Sequence, residues 1–217
     1  IGDHKQLPAV VRQKSCESRI YDRELNVLGF KDTAVSLFER MYNQCLSTRR
    51  TDNIGIISMQ GRMHRDLMQF PNLYFYQNQL KVLDKSQRLI NERDWRTDDP
   101  VDVRLANHRM IFVPAPADEY LSNKTNIYEA EIVIGIIKKL TGIMDQNGIQ
   151  LHKDSIGVIT PYRAQIAMIR KKLQNYHPEL HHLISVDTVE RYQGGARDII
   201  VISLCSNSRS QFMSLVS

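Results

Sequence analysis

The most regular pattern of apolar positions along the chain is a helical one between residues 126 and 144. Apolar residues recur there at spacings of three and four, which places them on one face of a helix. The main stripe consists of Ile127, Ala130, Ile134, Ile137 and Met144. Further apolar residues widen this stripe, so the pattern predicts a long helix from about Asn126 to Met144 that is buried along one broad side.

Three short runs typical of buried strands follow this helix, and the last two of them are rich in β-branched residues. They span residues 156–159, 184–186 and 199–202. After the first run, Thr160 is a plausible N-cap and Pro161 would occupy the first position of another helix. The alternation of strands and helices predicts an α/β fold with a parallel sheet and right-handed crossovers.

Shorter patterns predict the elements of the remaining chain. Residues 1–11 look like the loop that leaves a strand, and residues 81–105 are charge-rich with little periodicity, which is typical of a surface excursion. The other predicted elements are helices over residues 19–28 and 33–46, the second capped by Thr33, a strand over 54–58, a helix from about His64 that Pro71 disrupts, and a strand over 110–113.

The composition narrows the choice of partner and compartment without deciding it. The formal charge of +5 is compatible with a polyanionic partner but does not require one. The three cysteines are widely spaced and form no CxxC pair, which favours reduced thiols over disulfides or zinc. No apolar run approaches the roughly 20 residues that span a bilayer, so we expect no membrane partner.

Asp3 and Gln6 form the first candidate site, just beyond a presumed strand end. Open α/β sheets collect ligand-binding groups at such ends. A side-chain amide such as that of Gln6 can hydrogen-bond a γ-phosphate and also attacking water. The same residues fit a plain polar turn equally well, so the pattern alone leaves both interpretations open.

Arg62 is the second candidate. Its guanidinium can bridge two phosphate oxygens and stabilise the charge that develops in phosphoryl transfer. A surface arginine at the start of a helix is the alternative interpretation.

Two further segments carry groups suited to phosphates or nucleic acid. The first consists of Thr160, Pro161, Tyr162 and Arg163. It opens a helix whose free backbone amides and dipole favour phosphate, and Gln165 would add a side-chain donor. The second offers the Thr188 hydroxyl, the Gln193 amide and the open backbone of Gly194. For the first segment, a well-capped helix with Tyr162 in the core is the alternative.

Three segments occur in the chain in the order of a known family. They are Gly2-Asp3-His4-Lys5-Gln6-Leu7, Gln60-Gly61-Arg62-Met63-His64, and residues 185–203 with their Gln193-Gly194 pair. The chain thereby resembles superfamily 1 helicases, in the branch that contains the nonsense-mediated-decay helicase. Because the sequence begins with Ile inside the first of these motifs, we interpret it as a piece of a longer protein.

The resemblance implies a RecA-like P-loop NTPase fold, with a parallel sheet flanked by helices and without the phosphate-binding loop. It implies that residues 1–50 are the tail of a first motor domain with a linker, and that residues 51–217 are a C-terminally truncated second RecA-like domain. The parent protein would be an ATP-dependent helicase. The alternatives are a degenerate nucleic-acid-binding module and the helicase half of a helicase–nuclease fusion.

The resemblance also assigns roles to individual residues, with Gln6 and Arg62 as the catalytic groups at the γ-phosphate. The nucleotide-binding residues would be Asp3, Gln6, Arg62, Gln193 and Gly194, and the nucleic-acid contacts would be Thr160, Pro161, Tyr162, Arg163 and Thr188. Two positions depart from the family pattern. Gly61 replaces a tyrosine that stacks on the nucleotide base, and Ala196 replaces a glutamate that binds the ribose. We therefore expect weak discrimination between nucleotides.

Cofactors and partners follow from the same resemblance. We expect ATP and Mg²⁺ in the full-length protein and neither bound by this chain alone, since it lacks the Gly-x-x-x-x-Gly-Lys pattern. The expected partners are single-stranded DNA or RNA and the missing first RecA-like domain of the same chain. The cluster of His177, His181 and His182 lacks supporting Cys or carboxylate ligands, so we expect no metal site. The expected location is cytoplasmic, or nucleocytoplasmic in a eukaryote.

Overall fold

The computed structural model describes residues 2–7, 11, 13–84, 95–97, 99–117, 124–208, 211 and 213. Backbone contacts divide the chain into two compact units, Ile1–Asp84 and Lys85–Ser217. The predicted boundary after residue 50 refers to the helicase family rather than to local packing, and it stays a prediction.

The first unit begins with three short helices; the first was not predicted, and the other two begin four residues later than the sequence predicts. They are α1 (Ser15–Ser18), α2 (Arg23–Val27) and α3 (Leu37–Ser47). The N-cap of α3 is Ser36, whose Oγ accepts the Glu39 N–H at 3.2 Å. The predicted cap Thr33 is wrong, because its backbone N–H and its hydroxyl both donate to the Ser18 carbonyl oxygen instead.

The first unit also contains a short parallel ladder between β1 (Met59–Gln60) and β2 (Lys81–Val82). The predicted strand over residues 54–58 is wrong. Its residues find no ladder partner within the described structure, and pairing begins only where the Lys81 N–H donates to the Ser58 carbonyl oxygen at 2.7 Å. The strand β2 falls inside the predicted excursion over residues 81–105; residues 85–94 and 98 lie outside the described residues.

Helix α4 (Arg65–Phe75) connects the two strands and continues through Pro71. The predicted disruption is wrong because proline removes only one backbone donor, and the chain beyond it is held by other bonds. The Tyr76 N–H closes the last turn onto the Asn72 carbonyl oxygen at 3.3 Å. The Asn72 side chain bonds both backbone groups of Leu80, at 2.8 and 3.2 Å, which fixes the exit from the helix.

The second unit is built on a three-stranded parallel sheet in the order β4-β3-β5. Its strands are β3 (Ile156–Ile159), β4 (Ser185–Asp187) and β5 (Ile199–Ile202). The bounds predicted for β3 and β5 are confirmed, and β4 lies one residue later than predicted. This parallel sheet and its flanking helices confirm the predicted α/β class.

The helices described for this unit include α5 (Pro100–Asn107), α6 (Ile127–Gln146), α7 (Arg163–Tyr176) and the single turn α8 (Val189–Tyr192). Helix α6 begins as predicted after Asn126, whose side chain accepts the Glu129 N–H at 2.8 Å. Its apolar face packs on α7 and the sheet. The buried core there includes Ala130, Ile137, Leu140, Ile156, Val158, Ile169, Leu173 and Val186.

Two predictions about the second unit are wrong. Residues 110–113 are extended but form no ladder with any described strand, and Phe112 is exposed. Helix α5, in contrast, lies within the predicted excursion. Asp99 caps it by accepting the N–H groups of Val101 and Asp102, and Pro100 takes the first helical position.

Candidate functional site

The carboxylate of Asp3 organises the loop that carries Gln6. Its Oδ1 accepts the Lys5 N–H at 3.0 Å, and its Oδ2 accepts the Gln6 Nε2 at 2.8 Å. The same Oδ2 also accepts the hydroxyl of Tyr76 at 2.6 Å, across 73 positions of the sequence. A single side chain therefore holds the predicted γ-phosphate-sensing amide and joins its loop to the end of α4.

The protonation states of this pair are set by its contacts. Partial burial favours the neutral carboxyl, but the hydrogen bonds from Tyr76, Lys5 and Gln6 outweigh it, so the pKa of Asp3 is lowered. Burial, and then the hydrogen bond and charge of Asp3, raise the pKa of Tyr76 to about 12. At neutral pH Asp3 is thus an ionised acceptor and Tyr76 a protonated donor.

A small open pocket of about 210 Å³ lies between this loop and the start of α3. Its lining residues are Asp3, His4, Gln6, Leu7, Ala34, Ser36, Phe38 and Glu39. The pocket is smaller than the roughly 300–1,000 Å³ typical of sites for drug-sized ligands. It can therefore enclose a small part of a ligand but not a whole nucleotide.

Arg62 lies in a turn that the Gln60 side chain shapes. Gln60 Oε1 accepts the N–H groups of Arg62 and Met63 at 2.9 and 2.7 Å, and its Nε2 donates to the Met63 carbonyl oxygen at 2.8 Å. His64 then caps α4 by accepting the Asp66 N–H at 3.2 Å. The Arg62 side chain is exposed and forms no hydrogen bond or ion pair within the described residues. The turn is thus fixed while its guanidinium remains available.

The structure places Gln6 and Arg62 in the same unit without direct contact between their side chains in the part of the chain it describes. The Gln6 amide donates to Asp3, whereas the Arg62 side chain is exposed. Each group is therefore available to a ligand independently of the other.

The segment from Thr160 to Arg163 differs from the prediction at its first residue. The Thr160 N–H donates to the Asp187 carbonyl oxygen at 3.1 Å, so Thr160 extends the sheet rather than capping α7. Its side chain is fully buried, and its Oγ1 has no partner among the described residues. The N-cap of α7 is Tyr162, which is half-buried, while Pro161 and Arg163 are exposed. Among the residues of this segment that were predicted to contact nucleic acid, Pro161 and Arg163 are exposed to solvent.

Gln165 is a structural residue, and its interpretation as a phosphate donor is wrong. It is fully buried, and its amide bonds both backbone groups of Asn126, accepting at 2.9 Å and donating at 3.0 Å. It also donates to the Ser203 hydroxyl at 3.3 Å. The amide therefore joins the start of α7 to the start of α6 and to the end of β5.

Glu129 continues this buried polar network, which the sequence did not reveal. One of its oxygens accepts the Ser203 hydroxyl at 2.6 Å and the Cys205 N–H at 2.9 Å. The Asn126 Nδ2 donates to the Asn207 Oδ1 at 2.8 Å. The signal in the sequence was the spacing from Asn126 to Glu129, since an N-cap followed by an acid three residues later marks a helix start. The network fixes the chain that leaves the carboxyl end of β5.

The turn after β4 presents the remaining predicted residues. Thr188 follows β4 directly, and a hydrogen bond from its side chain to the Glu190 carboxylate is the main cause that lowers the pKa of Glu190. Gln193 and Gly194 are exposed, and Gly194 has φ +84, a backbone conformation that favours glycine. These groups are thus open to a ligand.

Tyr192 braces this turn against the sheet. Its hydroxyl lies 2.6 Å from the Ser185 Oγ and donates to the Ser185 carbonyl oxygen at 2.7 Å, and the Arg197 guanidinium lies 5.4 Å from the centre of its ring. A Cβ at Gly157 would lie 2.7 Å from the Tyr192 Oη. The brace therefore requires glycine in the middle of β3.

Two of the predicted nucleic-acid contacts lie at the carboxyl edge of the sheet. Strands β3 and β4 are parallel neighbours in which Ile159 pairs with Asp187. Thr160 and Thr188 follow these paired residues, so both lie at the same edge, where α7 also begins. The expected convergence of these segments on one edge is confirmed; their roles stay predictions.

The described residues contain no group of three or more His, Cys, Asp or Glu side chains placed to hold a metal ion. His177 instead lies 3.4 Å from Glu179, and His181 and His182 contact each other edge to face. Within the described parts of the chain, no helix combines the length and the apolar character that crossing a bilayer requires.

The fold and the motifs agree with a comparison to protein families. The family model of the AAA domain matches residues 33–217. The chain belongs to this family and, within it, to the branch of superfamily 1 helicases that contains the nonsense-mediated-decay helicase. The RecA-like α/β fold that the sequence predicts is thereby confirmed.

Individual relatives are similar over nearly the whole chain. An uncharacterized ATP-dependent helicase of Methanocaldococcus jannaschii is 30% identical over 98% of this chain and 28% of its own length. The helicase sen1 of Schizosaccharomyces pombe is 27% identical over 97% of the chain and 11% of its own length. The regulator of nonsense transcripts 1 homolog of Drosophila melanogaster is 26% identical over 97% of the chain and 16% of its own length. The chain spans less than a third of each of these relatives.

Proposed function

We propose that the chain is the part of an ATP-dependent nucleic-acid helicase that senses the γ-phosphate and contacts the translocated strand. The observation that carries this proposal is Arg62, whose exposed guanidinium extends from a turn held by three hydrogen bonds of Gln60. A fixed turn that leaves its arginine unpaired is suited to a phosphate oxygen that arrives with a ligand. The names of the relatives, which include ATP-dependent helicases, support the same assignment.

In this proposal, Arg62 and Gln6 act on the γ-phosphate from two sides. The guanidinium would neutralise charge on the transferred phosphoryl group, which is the largest contribution that proteins make to this reaction. The Gln6 amide donates to Asp3 through Nε2, so its Oε1, which has no partner among the described residues, could accept a hydrogen bond from the attacking water and orient it. Gln193 and Gly194 would contact the nucleotide from the turn that Tyr192 braces.

The single-stranded nucleic acid would run along the carboxyl edge of the sheet in the second unit. Pro161 and Arg163 are exposed there, and Thr188 follows the neighbouring strand. Tyr162 supplies a half-buried aromatic ring beside them. Thr160 would act mainly by fixing the turn, because its hydroxyl is enclosed. Single-stranded DNA and RNA fit these contacts equally well, since a phosphate backbone is common to both.

The proposal makes ATP the substrate and Mg²⁺ its companion ion in the full-length protein. The ligands for Mg²⁺ and the phosphate-binding loop would come from the first RecA-like domain, as the resemblance to the helicase family implies. This chain alone is then expected neither to hydrolyse ATP nor to unwind a duplex. The cytoplasmic or nucleocytoplasmic location and a 5′ to 3′ direction of translocation remain predictions.

A second candidate is a nucleic-acid-binding module that has lost ATP use. It is favoured by one observation at Gly61, where an added Cβ would meet its nearest neighbour, Leu83, at an ordinary 3.5 Å. Packing therefore does not require glycine there, so the missing stacking ring is not a consequence of the fold. The helicase half of a helicase–nuclease fusion also stays a prediction.

Reciprocal substitutions in the full-length protein test the proposal. Arg62→Ala should abolish ATP hydrolysis and leave nucleotide-free binding to a single-stranded oligonucleotide unchanged, whereas Arg163→Ala should weaken that binding. Arg65→Ala is the matched control, because Arg65 is an exposed arginine on α4 whose ion pair among the described residues is with its neighbour Asp66. Strand binding without any ATP turnover in the wild type would support the second candidate instead.

A further inference from the structure

Tyr76 joins two parts of the first unit that the proposed function places on the same phosphate. It directly follows α4, the helix that begins after the Arg62 turn. Its hydroxyl donates to the Asp3 Oδ2 at 2.6 Å, and this same oxygen accepts the Gln6 Nε2 at 2.8 Å. The phenol and the amide therefore meet on one carboxylate oxygen.

The chemistry of that oxygen determines how Gln6 is oriented. An ionised carboxylate accepts hydrogen bonds and cannot donate them, so the amide must turn its nitrogen toward Asp3 and its oxygen away. The contacts keep Asp3 ionised and Tyr76 protonated at neutral pH. Without the phenol, Asp3 would keep the Lys5 N–H on Oδ1 and the Gln6 amide on Oδ2 as its described hydrogen bonds, so the carboxylate and the amide bonded to it could rotate more freely.

We propose that Tyr76 is a positioning residue for ATP hydrolysis, which holds the Asp3 carboxylate so that the Gln6 amide presents its oxygen to the attacking water. This inference rests on the proposed function, because it requires Gln6 to act at the γ-phosphate. It also connects the loop of Gln6 to the helix that follows Arg62, so the two γ-phosphate groups are anchored to a shared element.

The test is ATP hydrolysis by the full-length protein, saturated with a single-stranded oligonucleotide, in the variant Tyr76→Phe. Phenylalanine keeps the ring and removes only the hydroxyl. A misplaced amide reduces the stabilisation of the transition state and leaves the affinity for bound ATP almost unchanged. We therefore expect kcat to fall about 10-fold or more while the KM for ATP changes less than about 3-fold. Tyr74→Phe is the matched control, since Tyr74 is an exposed tyrosine of the same helix whose ring contacts Phe70. It should retain the wild-type kcat.

A double-mutant cycle separates positioning from a merely structural role. If Tyr76 acts through Gln6, Tyr76→Phe should have no further effect on kcat in a Gln6→Ala background. An equal fall in both backgrounds would overturn the inference, as would a wild-type kcat in Tyr76→Phe alone. If Gln6→Ala itself keeps the wild-type kcat, the proposed role of Gln6 fails first, and the inference fails with it.

Discussion

The side-chain amide of Gln165 bonds both backbone groups of Asn126, accepting its N–H at 2.9 Å and donating to its carbonyl oxygen at 3.0 Å. Through this contact the start of α7 is fixed to the start of α6, and the Ser203 hydroxyl joins both to the end of β5. The position of the exposed Arg163, two residues earlier, therefore depends on a fully buried side chain.

Gln165→Leu should destabilise the protein by about 2–4 kcal/mol, because it leaves buried backbone groups of Asn126 without partners. The free energy of unfolding in urea measures this effect. Gln174→Leu is the control, since Gln174 is an exposed glutamine on the same helix and should change stability by less than about 0.5 kcal/mol. A loss that is equal in both variants would show that the amide bonds contribute nothing specific.

Gly157→Ala should disturb the turn that carries Gln193 and Gly194. The new methyl would lie 2.7 Å from the Tyr192 Oη, so the tyrosine must leave its bonds to Ser185. We expect a loss of about 1–3 kcal/mol in the free energy of unfolding.

The same substitution at Gly142 is a matched control for Gly157→Ala. Gly142 lies in α6, and an added Cβ there meets no atom within 4 Å. Gly142→Ala should therefore stabilise the protein by about 0.5–1 kcal/mol, because alanine has the higher helix propensity. If both substitutions changed the free energy of unfolding in the same direction, the close contact between Gly157 and Tyr192 would be contradicted.

The hydrogen bond between Asp3 and Tyr76 makes stability depend on pH in opposite directions at the two ends of the scale. The folded pKa of Tyr76 is raised to about 12, so its contribution is complete below the ordinary value of 10 and is lost as the pH rises through 12. The folded pKa of Asp3 is lowered, so its contribution is complete above the ordinary value of 3.8 and is lost at lower pH. The measurement is the melting temperature between pH 3 and pH 12. Tyr76→Phe should remove the loss of stability that this bond causes at alkaline pH, and it should reduce the loss that occurs at acidic pH. An unchanged alkaline limb would contradict the bond.

Nucleotide selection provides a test by gain of function. If Gly61 removes a base contact, the full-length wild type should prefer ATP over GTP by less than about 100-fold in kcat/KM, or about 2.7 kcal/mol. Gly61→Tyr should lower the KM for ATP, since a Cβ at Gly61 meets its nearest neighbour at an ordinary contact distance. Gly61→Leu adds bulk without a planar ring, so a gain of equal size in that variant would show that stacking is not the cause.

The salt dependence of single-stranded nucleic-acid binding tests whether Arg163 contacts a phosphate. Each phosphate contact on a single strand releases about 0.7 of a counterion, so Arg163→Ala should flatten the slope of log affinity against log salt by about that amount. The loss should be similar for all sequences, because a phosphate contact reads no base. A strong sequence preference that disappears with Arg163 would place this residue on a base instead.

The sequence predicted the parts of the fold that depend on local pattern. Helix α6 has an apolar stripe repeated over several turns, and the strands β3 and β5 are short runs rich in β-branched residues, so the start of α6 and the bounds of both strands followed from the residues alone. The predictions were wrong where the role of a residue is set by a hydrogen-bond partner far away in the sequence. Thr160 looked like a helix cap, but the Asp187 carbonyl oxygen across the sheet takes its N–H.

The candidate site shows the same division. Arg62 and Gln6 were found by motif, because their spacing within short segments is preserved. The roles of Gln165 and Tyr76 depend on contacts that span 39 and 73 positions, and no pattern in the sequence pairs these residues with Asn126 and Asp3. Polar residues on an apolar helix face are the signal to follow in such cases, since a buried amide needs a partner.

The central claim is that Arg62 senses the γ-phosphate, and the affinity of the full-length protein for nucleotides tests it most directly. The measurement compares the Kd of ADP with that of a non-hydrolysable ATP analogue, in the wild type and in Arg62→Ala. The account predicts that the wild type prefers the triphosphate and that Arg62→Ala reduces this preference about 10-fold or more, as expected for a charge-assisted bond of about 1.5–3 kcal/mol. An unchanged preference in Arg62→Ala would contradict it.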